Sequence, residues 1–190
     1  MPREKNIGRC ATSNSKTWCT PPRIVSRVRD FFGGTIDFDP CSNPYSMVGA
    51  STSCSLPESD GLKASWNHHS IFVNPPYGRD RERKTTIYDW VRACHYANEY
   101  CYLRPEVIAL IPVATNTAHW KDYIFPKATG ICFLKDTRLK FFENGIESQK
   151  GAPMACALVY WGQRDEDFSK AFNEEFGAVV LLRKDKAGNQ

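Results

Sequence analysis

Short segments that are apolar at every position alternate with segments that are apolar on one face, and this pattern constrains the fold most. Residues 70–73 and 107–111 read Ser-Ile-Phe-Val and Val-Ile-Ala-Leu-Ile, as in buried strands. Between them the sequence predicts a helix with Thr85 or Thr86 as its cap. One face of this helix consists of Ile87, Trp90, Val91, Cys94 and Cys101. A strand that is apolar on both faces must be covered on both. The pattern predicts a doubly wound α/β architecture with a mostly parallel sheet of about seven strands.

The remaining elements follow from the same pattern. We predict further strands at residues 35–39, 131–134, 139–142, 155–160 and 178–182. Thr20 and Pro21 predict a helix start, with Thr20 as N-cap, and Gly33-Gly34 predicts its end. The apolar stripe of this helix is Ile24, Val25, Val28, Phe31 and Phe32, and a later helix carries Phe168, Ala171, Phe172 and Phe176 on one face. Residues 1–16 are polar and aperiodic, so we expect a flexible leader followed by a single domain, residues 17–190.

Composition excludes several classes of protein. Of the 190 residues, 42% are hydrophobic and 24% are charged, which is enough apolar material for a sizeable core. The longest apolar stretches are far shorter than the roughly 18 residues that cross a bilayer. The charged N-terminus is not followed by the apolar block of a secretory signal. We therefore expect a cytoplasmic protein without a membrane segment.

Eight cysteines and four histidines raise the question of disulfide bonds or a metal site. The cysteines form no C-x-x-C pair, and the histidines are not spaced as a pair of zinc ligands. We therefore expect no metal, and we interpret the cysteines as reduced thiols that act as small buried hydrophobic groups. His68, His69 and His119 are interpreted as structural.

Charge is unevenly distributed along the chain, whose formal net charge is +4. Residues 1–30 carry seven basic and two acidic side chains, and residues 31–78 carry one basic and four acidic. Residues 79–150 carry twelve basic and nine acidic side chains. A basic surplus suits a polyanionic partner, since Lys and Arg displace counterions from phosphates. The surplus alone does not distinguish nucleic-acid-binding proteins from other basic proteins.

The most specific motif is Asn74-Pro75-Pro76-Tyr77, which directly follows the strand at residues 70–73. Asp39-Pro40 follows the predicted strand 35–39 in the same way. In open α/β sheets, ligands bind beyond the carboxyl ends of the strands. The tetrapeptide is therefore either a rigid turn at a strand exit or a catalytic loop.

A catalytic role for this motif has a physical basis. The exocyclic amine of adenine is a poor nucleophile because its lone pair is delocalised into the ring. The Asn74 side-chain oxygen and the Pro75 backbone oxygen can each accept one amino hydrogen, which stabilises the tetrahedral cationic nitrogen that forms during attack on an electrophile. The prolines hold both acceptors in place. Tyr77 supplies a flat face on which a base can stack.

Other motifs complete the pattern: Trp18-Cys19-Thr20-Pro21, Asp37-Phe38-Asp39-Pro40-Cys41, and Asp60-Gly61-Leu62 followed by Trp66. Over about residues 17–160, the chain resembles the phage and prophage DNA N6-adenine methyltransferases, the Dam-like enzymes. The resemblance implies the Rossmann-like fold of class I methyltransferases, S-adenosyl-L-methionine as cofactor and double-stranded DNA as partner. It assigns catalysis to Asn74, Pro75, Pro76 and Tyr77, and the cofactor to Trp18, Thr20, Pro21, Asp39, Pro40, Cys41 and Asp60.

The predicted cofactor turn departs from the wider methyltransferase pattern, because residues 39–44 contain no glycine. Asp39 can hydrogen-bond the ammonium or a ribose hydroxyl of the cofactor, or Asp39-Pro40 can simply end a strand. Asp60 can accept from the cofactor's adenine amino group, or Asp60-Gly61 can be an ordinary turn. Thr115, Thr117 and Trp120 follow the predicted strand 107–111. They can border the pocket, or they can be a helix cap and a core residue.

Basic residues follow the catalytic motif, namely Arg79, Arg81, Arg83 and Lys84. Asp80 and Glu82 are interleaved with them. The segment can be a solvated loop, or it can hold phosphates beside an extruded base. Arg138, in a segment similar to the family's Arg-x-x-Phe stretch, can contact DNA or stabilise the fold. Since no segment is long enough for a separate recognition domain, we expect recognition from loops around residues 43–59, 79–86 and 135–150.

Three functional hypotheses remain open at this point. The first is methylation of adenine N6 in double-stranded DNA. The second is the same chemistry on RNA adenine, cytosine N4 or a glutamine amide, each of which presents an amino group. The third is a non-catalytic DNA-binding protein that retains the fold.

Overall fold

The computed structural model describes residues 18–136, 138–149 and 151–182. The predicted leader, residues 1–16, lies outside the described residues. The same holds for residues 17, 137, 150 and 183–190.

The described residues form two β-sheets. The main sheet has seven strands: β2 (Phe38–Asp39), β3 (Thr52–Ser53), β4 (Ser70–Val73), β5 (Glu106–Pro112), β6 (Gly130–Leu134), β9 (Cys156–Trp161) and β10 (Gly177–Leu181). Their spatial order is β10-β6-β9-β5-β4-β2-β3. A small second sheet, in the order β1-β7-β8, consists of β1 (Trp18–Cys19), β7 (Phe142–Glu143) and β8 (Ile146–Glu147).

Strand directions divide the main sheet into two halves. From β3 through β2 and β4 to β5, the neighbouring strands are parallel. From β5 through β9 and β6 to β10, they are antiparallel. The prediction of about seven strands is confirmed for the described residues, but the prediction of a mostly parallel sheet is wrong, because three of the six neighbouring pairs are antiparallel. A strand that is buried on both faces has the same apolar pattern in either direction.

Three α-helices and a π-helical turn, Trp120–Ile124, flank the main sheet in the described residues. These helices are α1 (Pro22–Phe31), α2 (Ile87–Tyr100) and α3 (Asp165–Phe172). Apolar residues of α1 and α3 pack in one core with Phe72, Ile108 and Leu158 of the sheet. Residues of α2 and the π-helical turn pack in a second core with Ile71 and Val159. The predicted covering of the sheet on both faces is therefore confirmed.

Several element boundaries differ from the predictions. Helix α1 begins at Pro22 with Pro21 as its N-cap, so the prediction that Thr20 caps it is wrong. Helix α3 ends at Phe172, although Phe176 still lies in the same core. The strand predicted at 35–39 is shortened to β2, and Phe142 alone of the strand predicted at 139–142 belongs to β7. Local patterns identify apolar segments, but the ends of elements depend on the strands that pair with them.

Helix α2 begins as the sequence predicts. Its N-cap is Thr86, and the Asp89 carboxylate accepts a hydrogen bond from the Thr86 backbone N–H at 2.9 Å. This reciprocal arrangement is a capping box. Cys101, which the periodicity places on the helical face, instead forms the C-cap.

None of the helices in the described ranges combines the length and apolarity needed to cross a membrane.

Candidate active site

Two of the predicted motifs lie side by side at one edge of the main sheet. Strands β2 and β4 are parallel neighbours, paired through Phe38 and Ile71. Asp39-Pro40 ends β2, and Asn74 directly follows β4. The carboxyl ends of parallel strands meet at the same edge, which is where open α/β sheets bind ligands.

A cavity of about 510 Å³ opens at this edge. Its size lies within the range of small-molecule sites. The lining consists of Pro40, Cys41, Ser42, Asn43, Pro44, Cys54, Ser55, Leu56, Pro57, Ser59, Gly61, Pro76, Asp80, Glu82, Arg83 and Trp90. It combines apolar walls with hydroxyl, amide and charged groups, so it can hold a ligand that has both an aromatic and a polar part.

The side chain of Asn74 is held by the backbone at the start of the described chain. Its Nδ2 donates a hydrogen bond to the Trp18 carbonyl oxygen at 3.4 Å. Within the residues that the structure describes, no donor reaches the Asn74 Oδ1. Since the amide has its donor end engaged, its oxygen is the end left to accept from a ligand.

An aromatic cluster surrounds this amide. The Trp18 and Phe141 rings stack with centroids 4.9 Å apart and planes 13° apart. Tyr77 meets both rings edge-on, at 6.3 Å from Trp18 and 6.0 Å from Phe141. The Tyr77 hydroxyl donates to the Leu110 carbonyl oxygen at 3.3 Å, which ties the ring to β5. Tyr77 is half-buried, so part of it remains accessible beside Asn74.

Asp39 organises the turn after β2. Its carboxylate is buried and accepts hydrogen bonds from the Cys41 backbone N–H at 3.0 Å and the Ser46 hydroxyl at 3.3 Å. Burial raises the Asp39 pKa to about 6, because the charged form loses hydration, while hydrogen bonds from Cys41, Ser46 and Ser42 act in the opposite direction. Cys41, two residues after Asp39, lines the cavity. Asp39 therefore holds the backbone of a cavity-lining residue without lining the cavity itself.

Gly61 allows two segments of the chain to approach each other closely. A Cβ added to Gly61 would lie 2.0 Å from the Pro40 carbonyl oxygen. Only glycine allows the two chain segments to pack at this distance. Asp60-Gly61 is therefore more than an ordinary turn: it brings the segment after β3 against the turn after β2, and Gly61 and Pro40 both line the cavity.

Arg83 points inward, unlike its basic neighbours. Its guanidinium contacts the Asp60 carboxylate at 2.8 Å and the Asp80 carboxylate at 3.1 Å, and its side chain is 18% exposed. The Asp80 carboxylate also accepts from the backbone N–H groups of Glu82 and Arg83, both at 3.1 Å. Asp80 and Arg83 line the cavity, and Asp60 supports Arg83 from outside the lining.

The other residues predicted to bind DNA lie on the surface and do not line the cavity. Arg79, Arg81, Lys84 and Arg138 are exposed. Lys84 has a positive φ of 56°, which is uncommon for a residue other than glycine. Their contact with DNA stays a prediction, as does that of Arg83.

Thr20 and its neighbours do not themselves line the cavity, but one of them, Cys19, contacts the cavity-lining Asn43. Thr20 is buried, and within the described residues its hydroxyl has no hydrogen-bond partner. The adjacent Cys19 thiol contacts the Oδ1 of Asn43 at 3.4 Å, and Asn43 lines the cavity. Burial, followed by the charge of Asp39, raises the pKa of the Cys41 thiol. An unpaired buried hydroxyl is rare in native proteins and marks a position where an absent group can bind.

The residues beyond the third strand do not join the cavity. The Thr117 hydroxyl donates to the Ala114 carbonyl at 2.7 Å, as in a local cap. Trp120 is fully buried, and its Nε1 donates to the Pro112 carbonyl at 3.1 Å. Thr117 is therefore a local cap and Trp120 a core residue, and neither borders the cavity.

The sequence pattern does not identify two residues of this site. Phe141 lies in the predicted strand 139–142, and no motif points to Glu143, whose Oε1 accepts from the Trp18 Nε1 at 2.7 Å. The pairing of β1 with β7 brings Trp18 next to Glu143, although these two residues are 125 positions apart in the chain. The turn sequence Asn144-Gly145 was the available signal for a hairpin at this place.

No group of three or more His, Cys, Asp or Glu side chains that could hold a metal ion occurs in the described part of the chain. What the fold and site define is a mixed α/β protein with a seven-stranded mixed sheet and a cavity at the carboxyl ends of its parallel strands, which is compatible with a methyltransferase fold.

A comparison with known families identifies the chain more closely. Residues 9–184 match the family described as DNA N-6-adenine-methyltransferase (Dam). The chain belongs to this family, and the membership implies that it is a methyltransferase. A comparison with curated proteins gave no match.

Proposed function

We propose that this protein transfers a methyl group from S-adenosyl-L-methionine to N6 of adenine in double-stranded DNA, on a Rossmann-like class I methyltransferase domain. The observation that carries the proposal is the hydrogen bond from Asn74 Nδ2 to the Trp18 carbonyl oxygen. This bond supports a role for the motif as a directed acceptor, since it engages the amide donor and leaves the amide oxygen to accept. Membership of the Dam family supports the same reaction.

The residues around the cavity fit the cofactor. S-adenosylmethionine supplies a methyl group that is activated by a positively charged sulfur. The cavity carries the Glu82 carboxylate as a negative group, and the serines Ser42, Ser55 and Ser59 as partners for hydroxyl groups. The unpaired buried hydroxyl of Thr20 is a further candidate contact, because buried hydroxyls are normally hydrogen-bonded.

Asn74 and Pro75 prepare the nucleophile. The Asn74 Oδ1 and the Pro75 carbonyl oxygen each accept one hydrogen of the adenine amino group. This draws the nitrogen lone pair out of conjugation with the ring and directs it toward the cavity. The nitrogen carries a positive charge once it is alkylated and then releases a proton readily, so the chain needs no strong general base.

The aromatic cluster holds the base in place. The Tyr77 ring is fixed by its hydroxyl on the Leu110 carbonyl and by its edge contacts with Trp18 and Phe141. A base stacked on such a ring gains roughly 1–3 kcal/mol. That gain offsets part of the cost of extruding the base from the duplex.

The test is a methylation assay with labelled S-adenosylmethionine on unmethylated DNA, followed by hydrolysis and identification of the modified nucleoside. We expect N6-methyladenine in duplex DNA. Methylated RNA adenine, N4-methylcytosine or a methylated glutamine would assign the same chemistry to another amino group. DNA binding that is unaffected by S-adenosylmethionine, without methyl transfer, would indicate a non-catalytic DNA-binding protein.

A further inference from the structure

Two hydrogen bonds in series connect Glu143 to the side chain of Asn74. The Glu143 Oε1 accepts from the Trp18 Nε1 at 2.7 Å, and the Trp18 carbonyl oxygen accepts from the Asn74 Nδ2 at 3.4 Å. Trp18 takes part in both bonds, once through its side chain and once through its backbone. Glu143 is not among the residues that line the cavity. Its contact with Trp18 therefore gives it an indirect route to Asn74.

The bond from Trp18 to Glu143 selects one orientation of the indole ring. The indole has a single polar group, the Nε1–H, which can only donate, and a carboxylate is a charged acceptor. The Phe141 ring stacks on the indole at 4.9 Å, with planes 13° apart, and this contact fixes the plane of the indole. Because a hydrogen bond depends on direction, the bond to Glu143 fixes how the indole is turned within that plane.

Strand β1 is short, so strand pairing alone holds the Trp18 backbone weakly. The strand consists of Trp18 and Cys19 and lies at the edge of the small sheet, next to β7. The register places Trp18 directly opposite Glu143. Side chains that are directly opposite in antiparallel strands lie on the same face and interact. This cross-strand pair therefore helps to hold Trp18, and with it the carbonyl that Asn74 uses.

We propose that Glu143 is a positioning residue for methyl transfer: through Trp18, it holds the Asn74 amide with its oxygen directed to the substrate amine. This inference rests on the proposed function and adds to it the group that keeps the acceptor in place. An acceptor stabilises the transition state only while it is preorganised, and small displacements of such groups lower the rate strongly. Glu143 acts by accepting a hydrogen bond, so its effect does not depend on its negative charge.

The exposure of Glu143 separates this role from a purely structural one. Its side chain lies on the surface, and substitutions of surface side chains usually change stability little. We therefore expect loss of Glu143 to change the rate of methyl transfer in folded molecules and not the fraction of molecules that fold. Single-turnover kinetics report these two quantities separately, as the rate constant and the amplitude.

The first test compares Glu143→Ala and Glu143→Gln with Glu147→Ala as the matched control. Glu147 is an exposed glutamate on β8 of the same hairpin, and it lies opposite Phe142. With saturating S-adenosylmethionine and duplex DNA, we expect Glu143→Ala to lower the single-turnover rate constant about tenfold, with unchanged amplitude and unchanged affinity for the cofactor. Glutamine retains an acceptor oxygen for the indole N–H. Glu143→Gln should therefore keep the wild-type rate constant, as should Glu147→Ala.

A double-mutant cycle tests whether the effect passes through Trp18. Trp18→Phe keeps an aromatic ring and removes the Nε1–H from which Glu143 accepts. If Glu143 acts through this bond, Glu143→Ala should cause no further loss of rate in the Trp18→Phe protein. A loss as large as the one in the wild-type background overturns the proposal.

The environment of the Asn74 amide can also be followed without methyl transfer. In NMR spectra of isotope-labelled protein, the signals of the Asn74 side-chain NH2 are those that disappear in Asn74→Ala. We expect these signals to shift in Glu143→Ala and to keep their wild-type positions in Glu143→Gln and Glu147→Ala.

Several results would overturn the positioning role and leave the methyltransferase function intact. They are an unchanged rate constant for Glu143→Ala, a loss of amplitude without a change in rate constant, and an equal fall for Glu143→Ala and Glu143→Gln, which would assign the effect to charge. If the wild-type protein methylates no DNA, the proposed function fails and the NMR signals decide alone. Unchanged Asn74 signals in Glu143→Ala then overturn the link from Glu143 to Asn74, and shifted signals support it.

Discussion

The Trp18 carbonyl oxygen accepts a hydrogen bond from the Asn74 side-chain amide at 3.4 Å. Trp18 belongs to the edge of the small sheet, and Asn74 follows a central strand of the main sheet. The contact therefore joins the two sheets at the Asn74-Pro75-Pro76-Tyr77 motif. Because the carbonyl can only accept, it engages the donor end of the amide and leaves the amide oxygen available to accept.

Asn74→Ala should abolish most methyl transfer and leave the fold intact. The variant loses an acceptor that acts on the charge developing in the transition state, and loss of one such group typically costs about 100-fold or more in kcat. Asn74→Asp retains an acceptor oxygen but loses the donor to Trp18, so we expect an intermediate rate. Single-turnover methylation measures both.

Asn67→Ala is the matched control for Asn74. Asn67 is an exposed asparagine just before β4, at the opposite end of the strand that Asn74 follows. Its variant should methylate at the wild-type rate. Equal activity of Asn74→Ala and Asn67→Ala would contradict the role of the Asn74 amide.

Tyr77→Phe and Tyr77→Ala should differ, because the ring and the hydroxyl have separate roles. Phenylalanine keeps the ring and loses the hydroxyl, with its hydrogen bond to the Leu110 carbonyl and its 4.0 Å contact with the Cys156 thiol. Alanine loses the stacking face, which is worth roughly 1–3 kcal/mol, or about five- to 150-fold in DNA affinity. Binding to duplex DNA with and without cofactor measures the difference. If both variants lose the same affinity, the hydroxyl rather than the ring carries the effect.

Gly61→Ala should close or distort the cavity that Gly61 and Pro40 line. Its Cβ would overlap the Pro40 carbonyl oxygen, so the two loops must separate. We expect a loss of about 1–3 kcal/mol in the free energy of unfolding, as for other overpacked positions, and weaker S-adenosylmethionine binding in calorimetry. Gly78→Ala is the control for stability, since a Cβ there meets no atom within 4 Å. A Gly61 variant as stable as the Gly78 variant would show that the loops do not need this approach.

Arg83→Gln and Arg81→Gln should affect different ligands. Removal of Arg83 leaves the partly buried Asp60 and Asp80 carboxylates without their guanidinium. We expect a stability loss of about 1–3 kcal/mol and reduced cofactor affinity. Arg81 is exposed, so its variant should keep cofactor binding and stability within about 0.5 kcal/mol. If Arg81 contacts a phosphate, the salt dependence of DNA binding should fall by roughly one unit of slope. The reverse assignment of these losses would contradict the inward placement of Arg83.

Asp39 should make the stability of the protein depend on pH between about 4 and 6. Its pKa is raised by burial from 3.8 to about 6, so the folded state binds a proton more tightly than the unfolded state. This contribution is fully present below pH 4 and is lost as the pH rises through 6; it amounts to about 3 kcal/mol. Asp39→Asn removes it. Urea unfolding from pH 4 to 7 should therefore show the wild type losing stability relative to Asp39→Asn, and parallel curves would contradict the raised pKa.

Much of this protein could be predicted from local pattern. The apolar runs of β4, β5 and β9 identify strands buried on both faces, and helical spacing identifies the buried faces of α1 and α2. The sequence also contains a candidate catalytic loop, Asn74-Pro75-Pro76-Tyr77, because proline restricts the backbone wherever it occurs. These properties belong to a few consecutive residues, so they can be read before the fold is known.

The tertiary structure decided the rest, because it depends on residues far apart in the chain. Strand direction in the antiparallel half is not encoded in strands that are apolar on both faces. The meeting of Trp18 with Phe141 and Glu143 requires β1 to pair with a hairpin more than 100 residues away. The sequence pattern does not distinguish Arg83 from the exposed basic residues around it. Only the packed structure places two carboxylates beside it. Long-range pairing and partner choice depend on how the whole sheet packs, and no local periodicity contains that information.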